Sequence, residues 1–359
     1  MSTAARFCRA LRLLLWLGAW AGMAPDTAAA QPAATAPVLR LNGSQPEGLD
    51  AWPFLGAWFD PSRRADIDEV LRQRAAFRPP DVPRNAYGPR EEALWLRLPL
   101  QVPDGDPLHW VLSVDYTELI SIDYYLVGAG RVLEHQRLGE RIVFTQRTLP
   151  SAGHAVRLNL EAGRDYEVFL RVRSLGEVVV PLRLLREPQF HGREARLQLE
   201  MGLLLGATLA LLAYCVLYGL HLREPLFLFY AAQLVTLSGY LSATRGVLGQ
   251  YLWPDDPWWT LNGPPLLLAL ALSAACAFID GVLNVATLKR WCSRVLRAVA
   301  VTGLVLALLL RLGLINMATL NDAFSVVGAT PVVLGAYCAW LRWRQGDRVA
   351  GWILVERMA

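Results

Sequence analysis

The sequence predicts an antiparallel β-sandwich followed by an all-α bundle of transmembrane helices. Residues 39–190 alternate apolar and polar side chains, and residues 201–359 form a series of apolar segments about 20 residues long. Of the 359 residues, 54% are hydrophobic and 18% are charged, and that charged share is below the roughly 25% of an average soluble domain. This composition is typical of a membrane protein that also carries a polar domain.

An export signal is predicted at residues 1–30. Three arginines precede the apolar stretch 13–24, and the alanines at 28–30 offer a cleavage site between small residues. An uncleaved anchor is the alternative, but the apolar run breaks at Pro25 before it is long enough to cross a bilayer comfortably. Residues 31–38 are a linker of small residues. Because the export signal precedes it, the domain that follows is expected outside the cytoplasm.

The exported domain, residues 39–190, carries the strand pattern. Leucines occupy alternate positions of 94–100, and turn-forming Gly, Pro and Asp residues separate this segment from others like it. The core must form without disulfides, because no cysteine lies between residues 9 and 214. One helix is expected over 65–77. We expect strands at 94–100, 110–114, 120–126, 156–160, 166–172 and 178–184.

The membrane part follows a polar, helix-patterned juxtamembrane stretch at 191–200. Each complete apolar segment has about the 20 residues that a helix needs to cross roughly 30 Å of hydrocarbon. We predict spans at 201–222, 225–244, 264–285, 298–314 and 323–341, and a partial span at 349–359.

Basic residues in the loops predict the direction of the spans. If the sandwich is exported, the loops that must be cytoplasmic carry eight Lys or Arg residues, and the loops that must be outside carry only Arg245 and Arg311. This asymmetry follows the positive-inside rule and agrees with the export signal. The eight are Arg223, Lys289, Arg290, Arg294, Arg297, Arg342, Arg344 and Arg348.

Several segments together are similar to one family. They are the hairpin GLLLGATLALLAYCVLYGLHLREPLFLFYAAQLV, the outer loop ending in Tyr251-Leu252-Trp253-Pro254, and the strands around Trp95-Leu96-Arg97 and 169–174. Their order resembles the bacterial seven-transmembrane receptors with diverse intracellular signalling modules (7TMR-DISM), with the type-two extracellular domain. The resemblance implies a periplasmic, jelly-roll-like sandwich, seven spans, and a cytoplasmic output module such as a GGDEF-type diguanylate cyclase, a histidine kinase or a phosphatase.

The sequence departs from that pattern at its C-terminus, since it ends within the sixth segment. We therefore expect a C-terminally truncated chain whose output module is missing. No nucleophile–base pair, phosphate-cradling glycine loop or metal-binding spacing is visible, so we expect no enzyme and no cofactor in these residues. No basic face interleaved with aromatic residues indicates nucleic-acid binding.

The resemblance to jelly-roll carbohydrate-binding modules implies a periplasmic small-molecule ligand, with saccharides as one candidate class. Aromatic platforms and a few fixed polar groups form such sites. Trp95 is alternatively a core residue, and Arg97 and Arg171 are alternatively structural, each paired across strands with a carboxylate such as Glu92 or Asp123. The candidate ligand contacts are Tyr87, Trp95, Arg97, Tyr116, Glu118 and Arg171.

Three features of the membrane part each allow two interpretations. The aromatic residues Tyr251, Trp253, Trp258 and Trp259 are interfacial anchors, or they belong to a coupling loop that docks on the sandwich. The motif Gly202-x-x-x-Gly206 packs a neighbouring helix, or it joins two protomers in a homodimer. Asp280 is an intramembrane carboxylate with a structural or a functional role.

The leading hypothesis is a multi-pass sensory receptor in the lipid bilayer of the bacterial inner membrane. A ligand would bind the periplasmic sandwich and change the arrangement of the bundle. A transporter component with a solute-capturing domain is the alternative, although no inverted repeat or pair of broken spans is visible. A structural or assembly protein of the cell envelope is a third interpretation.

Overall fold

A computed structural model describes residues 37–41, 48–80, 82, 86–90, 92–105, 109–174 and 177–345. The predicted export signal, most of the linker and the partial sixth span lie outside these residues. The described N-terminal part consists mostly of β-strands, and the C-terminal part consists of helices. The predicted fold class, a sandwich followed by a helical bundle, is confirmed.

The strands form two main sheets. The larger sheet has the order β1-β5-β10-β7-β8, with β3 also paired to β5, and the smaller sheet has the order β2-β12-β6-β9. All these pairs are antiparallel except β1 with β5. The strands are β1 (Leu39–Arg40), β2 (Leu49–Asp50), β3 (Gly56–Asp60), β4 (Ala86–Pro89), β5 (Ala93–Gln101), β6 (His109–Val114), β7 (Ser121–Gly128), β8 (Arg131–Leu138), β9 (His154–Asn159), β10 (Asp165–Arg173), β11 (Glu177–Val179) and β12 (Leu182–Arg186).

The apolar alternation predicted for the strands builds the core between the sheets. In the larger sheet, Leu170 of β10 lies opposite both Leu96 of β5 and Tyr124 of β7, and all three are buried. From the smaller sheet, Leu112 and Leu184 face the same core. Side chains that alternate with period two place one apolar face on the core, so the sequence pattern translates directly into the sandwich.

A short helix, α1 (Ile67–Arg72), covers the other face of the larger sheet. Asp66 begins it by accepting a hydrogen bond from the Glu69 backbone at 2.9 Å. Val70 packs with Trp95 and Phe169, both fully buried. The helix is shorter than the predicted 65–77, because it gives way after Arg72 to a 3-10 turn.

Strand β8 was not predicted from the sequence. It is an edge strand paired only with β7 in this sheet, and most of its side chains are exposed. Leu138 is its one clearly buried residue. A strand with so little buried surface lacks the apolar alternation on which the prediction depends.

The membrane part contains five stretches that are long and apolar enough to cross a bilayer, within the described residues: Glu187–Leu222, Pro225–Thr244, Pro257–Val282, Arg290–Arg311 and Thr319–Arg344. The helices are α2 (Glu187–Leu222), α3 (Pro225–Thr244), α4 (Val247–Tyr251), α5 (Pro257–Val282), α6 (Val285–Leu288), α7 (Arg290–Arg311), α8 (Met317–Val327) and α9 (Thr330–Arg344). At 1.5 Å per residue, the 36 residues of α2 extend about 54 Å. The predicted juxtamembrane stretch is therefore continuous with the first span.

A close approach at a glycine, an ion pair and a hydrogen bond connect neighbouring helices of the bundle. A methyl group at Gly303 of α7 would lie 2.3 Å from Ser273 Oγ of α5, so these two helices approach closely there. Asp280 of α5 pairs with Arg297 Nε of α7 at 2.7 Å, which gives this carboxylate a structural partner. Arg342 Nε of α9 donates to the Leu283 carbonyl at 2.9 Å.

The Gly202-x-x-x-Gly206 motif does not pack a neighbouring helix within the described residues. A methyl group built on either glycine would meet no atom within 4 Å. The expectation that this motif packs inside the bundle is therefore wrong for the described part of the chain. The homodimer stays a prediction.

The bundle meets the sandwich at the end predicted to lie outside. The loop between α3 and α5 contacts the sandwich, whereas the Asp280–Arg297 pair lies near the far end of α5. This outer loop carries few basic residues. The fold and the charge asymmetry therefore both place the sandwich outside the cytoplasm.

Reporter fusions test this direction. A reporter that folds only in the cytoplasm is expected to be active when fused after Lys289, between α6 and α7, and inactive when fused after Asp256, before α5. A periplasm-dependent reporter at the same two positions serves as the control and should show the reverse. Activity of the cytoplasmic reporter at Asp256 would contradict the orientation.

Candidate functional site

The contact between the sandwich and the bundle is the candidate site, and we call it the junction. It comprises two sandwich loops, residues 115–120 between β6 and β7 and residues 139–153 between β8 and β9. The bundle contributes the loop 244–256 and the start of α2. The junction joins the domain that would meet an external ligand to the helices that cross the membrane.

Hydrogen bonds connect the two sides of the junction directly. The Phe144 backbone N–H donates to the Pro254 carbonyl at 2.8 Å, and Thr145 Oγ1 donates to Asp255 Oδ1 at 2.6 Å. Thr117 donates through its hydroxyl to the carbonyl of Thr244. Two of these three bonds are accepted by backbone carbonyls of the bundle loop. They therefore hold the backbone of that loop in place, and not only its side chains.

Gly246 allows the closest approach across the junction. Its φ of +75° is in the left-handed region, and a methyl group there would lie 2.2 Å from the Ala152 carbonyl oxygen. Both the backbone conformation and the space require glycine. The sandwich loop therefore rests on the backbone of the turn between α3 and α4.

The sandwich is also joined to α2. Strand β12 ends at Arg186 and α2 begins at Glu187, and the Arg186 N–H donates to the Gln189 side chain at 2.9 Å. Phe190, in the first turn of α2, is buried against Val111 and neighbouring apolar residues of the sandwich. The first span thus continues the last strand without a flexible linker.

Charged groups on the next turn of α2 hold the two sandwich loops. Glu194 accepts hydrogen bonds from Ser151 Oγ at 2.9 Å and from the Ala152 N–H at 3.2 Å. Arg193 Nη2 lies 2.7 Å from Asp115 Oδ2. Each loop that touches the outer turn of the bundle is therefore also bound to the first span.

Buried polar groups stiffen the loop between β8 and β9. Arg147 donates to the carbonyls of Ser151 and Gly153, both at 2.9 Å, and burial lowers the pKa of its guanidinium. His154 is buried, with Nε2 3.1 Å from the Thr117 carbonyl. Burial, with a contribution from Arg147, lowers the pKa of His154 to about 3, so the ring is neutral and donates from Nε2 at physiological pH.

Two cavities between the sandwich and the bundle have Glu140 in their lining. The smaller, about 20 Å³, includes Thr117, Arg147, Gly246 and Trp253 in its lining. The larger, about 160 Å³, is lined by Tyr116, Glu118, Ile120, Glu140, Ser174, Tyr240, Leu261, Pro264, Pro265, Leu268, Met317 and Asn321. Both volumes exceed what one water molecule occupies by the same measure, on the order of 10–15 Å³.

Glu140 lines both cavities and is only 8% exposed. Burial raises the pKa of its carboxyl to about 8; Glu118 adds to the rise and Arg147 opposes it. The carboxyl is therefore mostly protonated at pH 7. Among the described residues, no hydrogen bond or ion pair engages this carboxyl group, which is an uncommon state for a buried acid.

The six predicted ligand contacts do not form one site. Tyr116 and Glu118 line the larger cavity, and Tyr116 Oη donates to Glu118 Oε2 at 2.9 Å. Tyr87 is buried in the main core, where its ring contacts Trp52 and Phe59.

The remaining three lie on the face of the larger sheet that α1 covers. Trp95 is fully buried, and the Arg171 guanidinium lies 5.7 Å from its ring centre. Trp95 would contact a ligand only if α1 moved away. Arg97 of β5 pairs with Glu167 of β10 at 2.7 Å, so the expected pairing with a carboxylate across strands is confirmed, with Glu167 as the partner and not Glu92 or Asp123. Arg171 donates to the Arg63 carbonyl.

The aromatic loop residues have distinct places. Trp253 lines the smaller cavity and stacks on Trp259 with ring centres 5.5 Å apart. Trp258 lies under Arg311, with its ring centre 4.9 Å from the guanidinium carbon, and Tyr251 is 61% exposed. The loop reaches the sandwich through Pro254 and Asp255, which lie between these aromatic residues.

Sequence reasoning missed Glu140, Gly246 and Ala152. Gly246 lies in the outer loop that resembles the family, but the importance of all three residues depends on contacts between segments about 100 residues apart. A glycine in a short turn after an apolar helix was the only available signal for Gly246.

Two family models match the chain on either side of the junction. The model "7TMR-DISM extracellular 2" matches residues 53–186, and the model "7TM diverse intracellular signalling" matches residues 197–355. The chain belongs to the 7TMR-DISM family. It is a multi-pass membrane receptor with an extracellular N-terminal domain, and the boundary between the two matched regions falls in the first turns of α2. No curated protein matches the chain significantly.

Substitution of Gly246 tests the junction of this 7TMR-DISM receptor. Gly246→Ala is expected to separate the loops, because the added methyl would meet the Ala152 carbonyl. The measurement is the yield of oxidative cross-linking between cysteines placed at Thr145 and Asp255, and this yield should fall sharply.

Gly313→Ala is the matched control. Gly313 also has a positive φ, +70°, but a methyl group there would meet no atom within 4 Å. Both variants bear the cost of a left-handed alanine, about 1–2 kcal/mol, and only Gly246→Ala should reduce cross-linking. Equal yields in the two variants would contradict the close approach.

Proposed function

We propose that this 7TMR-DISM receptor resides in the bacterial inner membrane, binds a periplasmic small molecule, and regulates a cytoplasmic output module through its bundle. The observation that carries the proposal is the docked junction, in which sandwich loops bind the outer turn of the bundle and the first span at the same time. A diguanylate cyclase or a histidine kinase is the output that we expect.

Transmission requires two arrangements of the junction. A ligand shifts an equilibrium only by the difference between its affinities for the two states, so its site must change when the junction changes. The loop 139–153 meets this requirement. It connects β8 with β9, and it contacts both the bundle loop and α2.

The first ligand class to examine is the saccharides, with Tyr116 and Glu118 as the predicted contacts that lie at the junction. The Tyr116 ring and the Glu118 carboxylate combine an aromatic platform with a hydrogen-bond acceptor, which is a usual composition of small-molecule sites.

One observation favours transport as the second candidate. The fifth apolar stretch is interrupted, since α8 ends at Val327 and α9 begins at Thr330. Interrupted spans form the substrate sites of many transporters. The sandwich would then capture solute for the bundle.

Ligand-dependent movement at the cytoplasmic end tests the proposal. Spin labels on cysteines at Lys289 and Gln345, both exposed, would report the distance between the α6–α7 turn and the end of α9 in the full chain in nanodiscs. The described native cysteines are buried, which favours selective labelling. A saccharide that raises the melting temperature is expected to change this distance, and Gly246→Ala should abolish the change.

Each alternative gives a different result. If no saccharide in a broad panel stabilises the chain, the proposed ligand class is wrong. A saccharide that binds without changing the label distance contradicts transmission. Uptake of the bound solute into proteoliposomes would favour transport over signalling.

A further inference from the structure

The larger of the two cavities lined by Glu140 has the composition of a binding site. Its lining comes from six segments: the loop 115–120, the start of the loop 139–153, Ser174 after β10, and helices α3, α5 and α8. At about 160 Å³, it is smaller than the roughly 300–1,000 Å³ of sites for drug-sized ligands. Its occupant is therefore a small molecule.

The charge of the lining is of one sign. Glu118 and Glu140 contribute carboxyl groups, and no Lys, Arg or His is among the described residues that line the cavity. Tyr116 and Tyr240 add aromatic rings, and Asn321 adds an amide. Carboxylates combined with aromatic faces are the usual surroundings of a bound ammonium group, which the ring quadrupole also attracts.

The buried carboxyl group forms no hydrogen bond or ion pair among the described residues, and Arg147 acts on it only through its charge. Glu140 is more than nine-tenths buried, and neither a hydrogen bond nor an ion pair engages its carboxyl among the described residues. Arg147, the basic residue whose charge acts on Glu140, uses its Nη1 on the Ser151 and Gly153 carbonyls. In its ionised form this carboxylate has only the more distant charge of Arg147 to stabilise it, and a cationic ligand would add a direct partner.

A metal ion fits the cavity less well. The described residues contain no group of three or more His, Cys, Asp or Glu side chains that could hold a metal. Two carboxyl groups are few for Ca²⁺, which takes six to eight oxygen ligands. An ammonium group needs only two or three acceptors.

We propose that this cavity binds a small organic amine, with its ammonium group held by Glu140 and Glu118 and its carbon chain against Tyr116, Tyr240 and the apolar residues of α5. The bound amine would contact the sandwich and the bundle together. This inference rests on the proposed function only for the role of occupancy in signalling, since binding itself is measured without signalling.

Binding must be linked to release of a proton. Glu140 is mostly protonated at pH 7 when the cavity is empty, because burial raises its pKa to about 8. An ammonium ligand favours the ionised form and lowers that pKa. The charged or titratable groups that face Glu140 are Glu118 and Arg147 from the sandwich loops and Tyr240 from α3; α5 and α8 contribute none to the lining.

The test uses putrescine as the probe and 1,4-butanediol as its neutral counterpart of equal length, by calorimetry on the full chain in nanodiscs. Putrescine is expected to bind and butanediol is not. Between pH 6 and pH 7 the putrescine Kd should fall by roughly tenfold, as linkage to one proton requires, and level off above pH 8.

Three variants locate the site. Glu140→Gln replaces a mostly neutral acid with an amide of the same shape, so the fold should be kept while putrescine affinity falls at least about tenfold at pH 8. Glu118→Gln, at the exposed rim, should weaken binding less because solvent screens its charge. The control Glu161→Gln changes an exposed carboxylate that pairs with Arg164 in a loop outside the junction, and it should leave binding unchanged.

The inference is overturned if butanediol binds as tightly as putrescine, if Glu140→Gln keeps wild-type affinity, or if no heat of putrescine binding is observed. The amine and a saccharide would share Tyr116 and Glu118, but the saccharide-dependent change in label distance is measured without an amine and does not depend on these results. Failure of this inference and failure of the proposed function are therefore distinguishable.

Discussion

The contact of the Ala152 carbonyl with Gly246 is the constraint on which the two halves of the receptor depend. A side chain at position 246 would meet that oxygen at 2.2 Å, so at this point the sandwich can rest only on the bare backbone of the bundle. The same loop is bound to α2 through Glu194. Because one short segment touches both the first span and the turn between α3 and α4, a shift of that segment changes the position of one helix relative to another.

The electrostatics of the junction favour a system with two states. Glu140, Arg147 and His154 are withdrawn from water, and burial shifts the pKa of each toward its neutral form. Buried polar networks are rigid when every member has a partner, and they are unstable when one does not. Arg147 donates from Nη1 and His154 is within hydrogen-bond distance of the Thr117 carbonyl, but Arg147 Nε has no acceptor, and the Glu140 carboxyl forms no hydrogen bond among the described residues. A ligand or a proton at this one group can therefore change the balance between a docked and a loosened junction.

The sequence predicted the features that arise from local periodicity and missed those that arise from contacts between distant segments. The leucines at alternate positions of 94–100 and the apolar helices of the bundle follow from residue spacing alone. Strand β8 was missed because an exposed edge strand has no apolar face. The Glu167 partner of Arg97 depends on strand register, and Glu140 becomes notable only when the segments around residues 118, 140, 240 and 321 meet around one cavity.

Hydrogen–deuterium exchange of the full chain in nanodiscs tests the docked junction most directly. The Phe144 and Ala152 amides donate across it, to the Pro254 carbonyl and to Glu194. Both should exchange far more slowly than the amide of Gly130, in the exposed turn between β7 and β8. In Gly246→Ala they should lose that protection, while the amides of β10 keep theirs. Exchange of Phe144 and Ala152 in the wild-type chain as fast as that of Gly130 would contradict the account.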